Sequence, residues 1–148
     1  ITIRTMRAFL TESGGPPDAS VRDTWPIEIW RKTIEELTEE TAAIVYRWLY
    51  RESKADYFSS EYSFQNLYFD SYIHHGPRVI KWLQIIAKRE VDGRLTEALA
   101  ALVNASGEYY YGEFLKKRQL FMVAIVKRDP SQLKWLEGWI RRTQGFMK

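Results

Sequence analysis

From Ile27 to Leu49 apolar side chains recur every three or four residues: Ile27, Trp30, Ile34, Leu37, Ile44, Val45, Trp48 and Leu49, with Thr41 in the slot between Leu37 and Ile44. A stripe of that period lies on one side of an α-helix and on neither face of a strand. Asp23-Thr24-Trp25-Pro26 supplies a capping residue and a proline suited to a first turn. Charge follows the helix dipole, with Glu28, Glu35, Glu36, Glu39 and Glu40 early and Arg47, Arg51 and Lys54 late. The spacing predicts one continuous amphipathic helix of about seven turns, roughly 40 Å long.

The rest of the chain carries the same period between helix breakers. Ile3, Met6 and Leu10 form a short stripe beside Arg4 and Arg7, and Ser13-Gly14-Gly15-Pro16-Pro17-Asp18 interrupts it. Residues 1–18 therefore read as a basic helical arm with a Gly/Pro hinge. Residues 57–72 hold Tyr57, Phe58, Tyr62, Phe64, Tyr68, Phe69 and Tyr72, read as helix or irregular segment. Gly76-Pro77 opens a helix with Val79, Trp82, Leu83 and Ile86 inward, and Asp92-Gly93 precedes a short helix through Val103. Residues 108–128 form another helix, and Asp129-Pro130 opens the last, with Leu133, Leu136 and Ile140 along one side. The expectation is an all-α chain: a bundle of five or six helices over residues 19–148 in one domain, preceded by the arm.

Several chemistries are excluded or disfavoured. There is no cysteine, which removes disulfides, thiolate nucleophiles and iron-sulfur clusters. The only two histidines, His74 and His75, are adjacent in a turn and lack a helical metal-ligand spacing. Glu35, Glu36, Glu39 and Glu40 read as a solvated face, and Ser59, Ser60 and Ser63 have no local His and Asp partners. No enzyme, metal, cofactor or small-molecule substrate is expected. No run approaches the roughly 20 apolar residues of a membrane span, and no signal-peptide pattern is visible, so the expected setting is cytoplasm or virion.

Charge is more informative. The net charge of +3 on 148 residues conceals an acidic stretch at 25–45, with five acids and two bases, and a basic one at 77–148, with fourteen bases and seven acids. Such asymmetry points to a polyanion, because each cation that neutralises a phosphate releases a condensed counterion. The candidate phosphate contacts are Arg4 and Arg7 in the arm, Arg78, Lys81 and Lys88 on one helix, and Lys116, Lys117, Arg118, Arg141 and Arg142 beside tyrosines and tryptophans. Tyr109, Tyr110 and Trp139 are candidates for sugar or stacking contacts. The 22 aromatic rings exceed what one core of this size ordinarily needs, so Tyr57, Phe58, Tyr62, Tyr68 and Tyr72 are expected at an interface.

Arg4 and Arg7, the Gly14-Gly15-Pro16-Pro17 break and the helices from Pro26 onward make the chain resemble the major coat proteins of filamentous archaeal viruses. The resemblance is architectural. It implies subunits that wrap linear double-stranded DNA in an A-like form through arm and bundle, and that stack helically into a filament. Around Trp82 to Val103, Asp92-Gly93-Arg94 is similar to the small noncatalytic subunit of archaeal primase. The expectation is a nonenzymatic structural protein that oligomerises and packages DNA through sequence-independent phosphate contacts. The alternative is a helical protein-protein adaptor, or a noncatalytic subunit of a nucleic-acid-processing complex, with the 57–72 aromatic belt as its contact surface.

Overall fold

A computed structural model describes residues 1–14, 22–61 and 63–147. All regular structure among them is helical: eight α-helices and two 3₁₀ turns, more than the five or six expected. The chain divides into two compact units, residues 1–52 and 53–148, so the division falls at the end of the third helix and not at residue 18.

In the first unit, α1 (Ile3–Ser13) starts where the Thr2 hydroxyl accepts the Thr5 N–H, and it ends at Gly14 in the left-handed region. Its Met6 is buried with Trp30 and Val45, and Ile3, Phe9, Leu10, Trp25, Ile34 and Leu37 pack around them. The expected arm is therefore part of a packed core; the hinge residues Gly15, Pro16 and Pro17 lie outside the described residues.

The expected seven-turn helix is two helices, α2 (Ile27–Glu35) and α3 (Glu39–Ser53). Thr38 makes the break, its hydroxyl accepting the Thr41 N–H at 3.2 Å and thereby starting a new helix. The break also changes which apolar residues face inward. Trp30, Val45 and Trp48 are buried, whereas Ile27 and Ile44, part of the continuous stripe in the sequence, are exposed.

The second unit contains α4 (Phe64–His75), α5 (Arg78–Ile86), α6 (Glu97–Ala105), α7 (Gly107–Arg128) and α8 (Leu133–Gln144). The longest of them, α7, packs against the other four. Its inward positions Tyr110, Tyr111, Phe114, Leu115, Arg118 and Met122 follow the helical period, with one arginine in an otherwise apolar series.

The aromatic segment forms the core of this unit. Phe58 stacks edge-on against Phe64 at 5.0 Å and tilts against Tyr68 at 4.6 Å, while Phe64 meets Phe114 at 5.3 Å. Phe58 and Tyr68 are 2% and 0% exposed, which corrects their assignment to an interface. Tyr68 also donates its hydroxyl proton to the Ser53 carbonyl at 2.8 Å, satisfying the one polar atom it buries. Tyr57 and Tyr72 are half-buried, and Tyr62 lies outside the described residues. Asn104 ties the loop before α4 to the end of α6, accepting from Ser59 N–H and donating to the Tyr57 carbonyl.

Because Phe58 is a core residue, Phe58→Ala is expected to cost about 3–5 kcal/mol of unfolding free energy, read from the urea midpoint. A cost below about 1 kcal/mol would return Phe58 to the surface.

Candidate functional site

Two arrangements in the second unit carry chemistry: a cationic surface at the end of α5 and a charged cluster where α4, α7 and α8 meet.

The surface is built by the way α5 stops. Lys88 N–H donates to the Ile85 carbonyl, and Arg89 N–H reaches back five residues to the Gln84 carbonyl at 2.9 Å. This is a Schellman termination with Lys88 in the left-handed position, φ 53°, that glycine ordinarily occupies. Lys88 therefore lies just beyond α5 and not on it, a correction to the expected single-helix row. The turn that follows is clamped by Gln84, which is buried. Its side-chain N–H donates to Asp92 Oδ1 at 2.6 Å and to the Arg94 carbonyl, while its Oε1 accepts Gly93 N–H at 2.9 Å. The Arg94 N–H, and then the Gln84 side chain, bond to the Asp92 carboxyl and hold it below its usual range. Gly93, at φ 76°, makes the turn possible, and the Lys81 side chain runs across it, 3.3 Å from where a Cβ would stand.

Lys81, Lys88, Arg89 and Arg94 are exposed, and Arg89 and Arg94, with Glu90, Asp92, Thr96 and Leu102, line an open groove of about 670 Å³. No ion pair among the described residues engages any of the four cations. Arg78 is exposed at the start of α5 with its guanidinium 5.1 Å from the Phe121 ring. Arg89 and Arg94 were not among the expected candidates, although their position on either side of Asp92-Gly93 was a usable signal, because a turn brings flanking residues to one side.

The other candidate contacts are scattered by the helical period, since adjacent residues on a helix point about 100° apart. Lys116 is exposed, Lys117 half-buried and Arg118 only 1% exposed. Arg118 is thus no phosphate contact. Arg141 is exposed and bonded to Glu137 at 2.6 Å, a surface pair worth little. Arg142 is bonded to Asp70, which occupies the guanidinium edge that a phosphate would use. In the first unit Arg4 is exposed, and the Arg7 guanidinium lies over the Trp30 ring at 4.9 Å. Tyr109 is exposed, Tyr110 is buried and Trp139 is half-buried.

The second arrangement centres on Asp70. One carboxylate oxygen accepts from Arg118 Nη2 at 2.7 Å and the other from Arg142 Nη2 at 2.6 Å. Burial pushes the Asp70 carboxyl up, but the Arg142 hydrogen bond and the charge and hydrogen bond of Arg118 outweigh it and hold the group below its usual range. Arg118 Nη1 also donates to Ser71 Oγ at 3.2 Å. His74 Nδ1 lies 2.7 Å from the Asp70 carbonyl, which can only accept, so that nitrogen carries the proton. His75 packs between Trp82 and Phe121, with ring centroids 5.5 and 5.3 Å away. Burial, and then the charges of Arg118, His74 and Arg78, push its pKa down to about 4. The sequence showed Asp70 and His74 four residues apart but gave no sign of the two arginines that the fold brings to them.

No family model, curated protein or solved structure matches the chain. Among the described residues no group of His, Asp and Glu is placed to hold a metal ion, and no helix is long and apolar enough to cross a membrane.

The depressed His75 pKa sets a sign for acid sensitivity. The unfolded chain takes up the His75 proton near pH 6.5 and the folded chain near 4, so its contribution is complete above pH 6.5 and lost as pH falls to 4. Urea midpoints are expected to drop over that interval by a stability on the order of 2 kcal/mol, and His75→Gln should flatten the drop. An equal drop in His75→Gln would remove His75 as its source.

Proposed function

We propose that the chain is a nonenzymatic nucleic-acid-binding structural protein that contacts phosphates without reading bases, with the end of α5 as its principal surface. The observation that carries this reading is Lys88. A non-glycine residue in the left-handed conformation costs about 1 kcal/mol relative to glycine, and this one is exposed with no ion pair. A cation held where glycine would be more stable, beside Lys81, Arg89 and Arg94, is placed for contact and not for folding. Phosphates are the fitting partner, because four exposed cations around one turn outnumber the nearby Glu90 and Asp92, and Asp92 is already bonded to Gln84 and backbone N–H groups.

The same reading holds that copies assemble. The outer side of α8 leaves Leu133, Trp135 and Ile140 exposed, and Leu120 and Val123 are exposed on α7. Apolar side chains in that number are suited to another protein surface. A DNA-coating filament subunit in a helical bundle is the specific form of this proposal. The adaptor alternative draws its support from the same α8 residues and no longer from the aromatic belt.

Binding to a mixed-sequence DNA duplex should weaken steeply with salt, with a log-log slope of about −3 to −4 for four phosphate contacts, and a scrambled duplex should bind equally. Lys88→Gly should reduce the slope by about 1 while raising folding stability by about 1 kcal/mol. Fluorescence anisotropy and urea unfolding measure the two. Absence of binding at low salt, or a slope unchanged by Lys88→Gly, would contradict this surface.

A further inference from the structure

Helix α7 packs on one side and is bare on the other. Its buried residues Tyr111, Phe114, Arg118 and Met122 recur with the helical period, and at about 100° per residue Tyr109, Lys116, Leu120 and Lys127 fall on the opposite side. All four are exposed, Tyr109 by 57% and Leu120 by 58%, and Val123 beside them is exposed by 38%. Leu120 and Val123 therefore make an apolar patch in the second half of the 22-residue helix, turned away from the core.

The side chains around this patch are arranged about Leu120. Glu113 precedes it by seven residues and Lys127 follows it by seven, which places each about 10 Å away along the axis. Lys116 and Ala124, both exposed, stand four residues before and after it, and Lys117 and Val123 stand three. Among the described residues Glu113 and Lys127 make no ion pair. A second copy of the helix laid antiparallel, Leu120 against Leu120, brings every one of these positions opposite its counterpart. Glu113 then meets Lys127, and Val123 and Ala124 lie under the aliphatic stems of Lys117 and Lys116, whose ammonium groups still reach water. A parallel copy in the same register would instead set Glu113 against Glu113 and Lys127 against Lys127.

We infer that α7 is a self-pairing surface, on which two copies of the chain join antiparallel about a two-fold axis at Leu120. The occupant of this face is a second copy because the charge pattern is its own complement, and the two-fold makes the Glu113–Lys127 pair twice. The inference rests on the assembly part of the proposed function and gives that assembly a surface and a symmetry. Helix α8 offers no equivalent face, since Trp135 lies about 160° around the axis from Leu133 and its exposed apolar residues are split between two sides. One helix pair is a small contact, so the dimer belongs with transient interfaces that bury less than about 1,200 Å².

Sedimentation equilibrium of the full chain, at low salt and without nucleic acid, reads the pairing. A monomer–dimer equilibrium is expected, ending at the dimer, with a Kd on the order of 100 μM or tighter. Leu120→Lys, at an exposed position, should weaken it at least about tenfold while leaving the helical circular dichroism unchanged. Glu113→Lys and Lys127→Glu should each weaken self-association by about fivefold or more, because each sets like charges opposite one another twice. An equimolar mixture of those two variants should associate as tightly as the unsubstituted chain, since the mixed dimer restores opposite charges at both ends. Leu120→Lys carries the test even where a charge reversal does not fold. The inference is overturned by a chain that stays monomeric at about 1 mM, by growth past the dimer, by a folded Leu120→Lys that associates as tightly, or by a mixture no tighter than its components. With nucleic acid left out, those outcomes leave the phosphate surface of α5 standing, and loss of DNA binding by a chain that still dimerises leaves the α7 pairing standing.

Discussion

Asp70 is shared between two guanidiniums that arrive on different helices, and the second unit is organised around that sharing. Arg118 sits in the middle of α7 at a position whose neighbours on the same face are Tyr111, Phe114 and Met122. A cation there is costly unless it is paired, and removal of a partner from such a pair commonly costs about 3–5 kcal/mol. Asp70 provides the partner from α4, and because a carboxylate has two oxygens it can also bind Arg142 from α8. Helix α8 also packs along α7, with Leu136 and Trp139 half-buried. Thr143 is its one buried residue, while Leu133, Trp135 and Ile140 face outward. The Tyr111 hydroxyl donating to the Phe146 carbonyl at 2.6 Å secures the chain just beyond the helix. The attachment of α8 thus combines packing along α7 with polar bonds, and its outer side is apolar and exposed.

At the cationic surface local stability gives way to exposure. Lys88 takes a backbone conformation better suited to glycine. In a chain of this size net stability is a small difference between large terms, so a strained backbone position weighs on the whole.

Much of the helical plan was legible in the sequence because breakers and caps act locally. Gly76-Pro77 and Asp92-Gly93 fall between elements, and Asp129 accepts the Ser131 N–H as the cap of the 3₁₀ turn Pro130–Gln132 that precedes the last helix. Trp30, Trp48 and Trp82 lie on stripes and are buried. The failures have physical causes. Thr41 preserved the period across residues 36–38, so the apolar spacing concealed a break that depends on the Thr38 hydroxyl and on where Leu37 must pack. In residues 57–72 aromatic side chains occupy nearly every face, and composition alone could not distinguish core from surface. The Lys116-Lys117-Arg118 run looked uniform, yet helical rotation sends its last member inward. The Asp70 cluster joins residues up to 72 positions apart, a proximity that no local pattern encodes.

Amide hydrogen exchange of Arg142→Met compared with the unsubstituted protein tests the dependence of α8 on Asp70 most directly. The substitution removes the α8 guanidinium while leaving the Asp70–Arg118 pair in place. A hydrogen bond between charged groups is worth about 1.5–3 kcal/mol, so α8 amides should lose about tenfold to a hundredfold of their protection while those of α4, α5 and α7 keep theirs. Unchanged protection in α8, or an equal loss throughout the unit, would contradict the account.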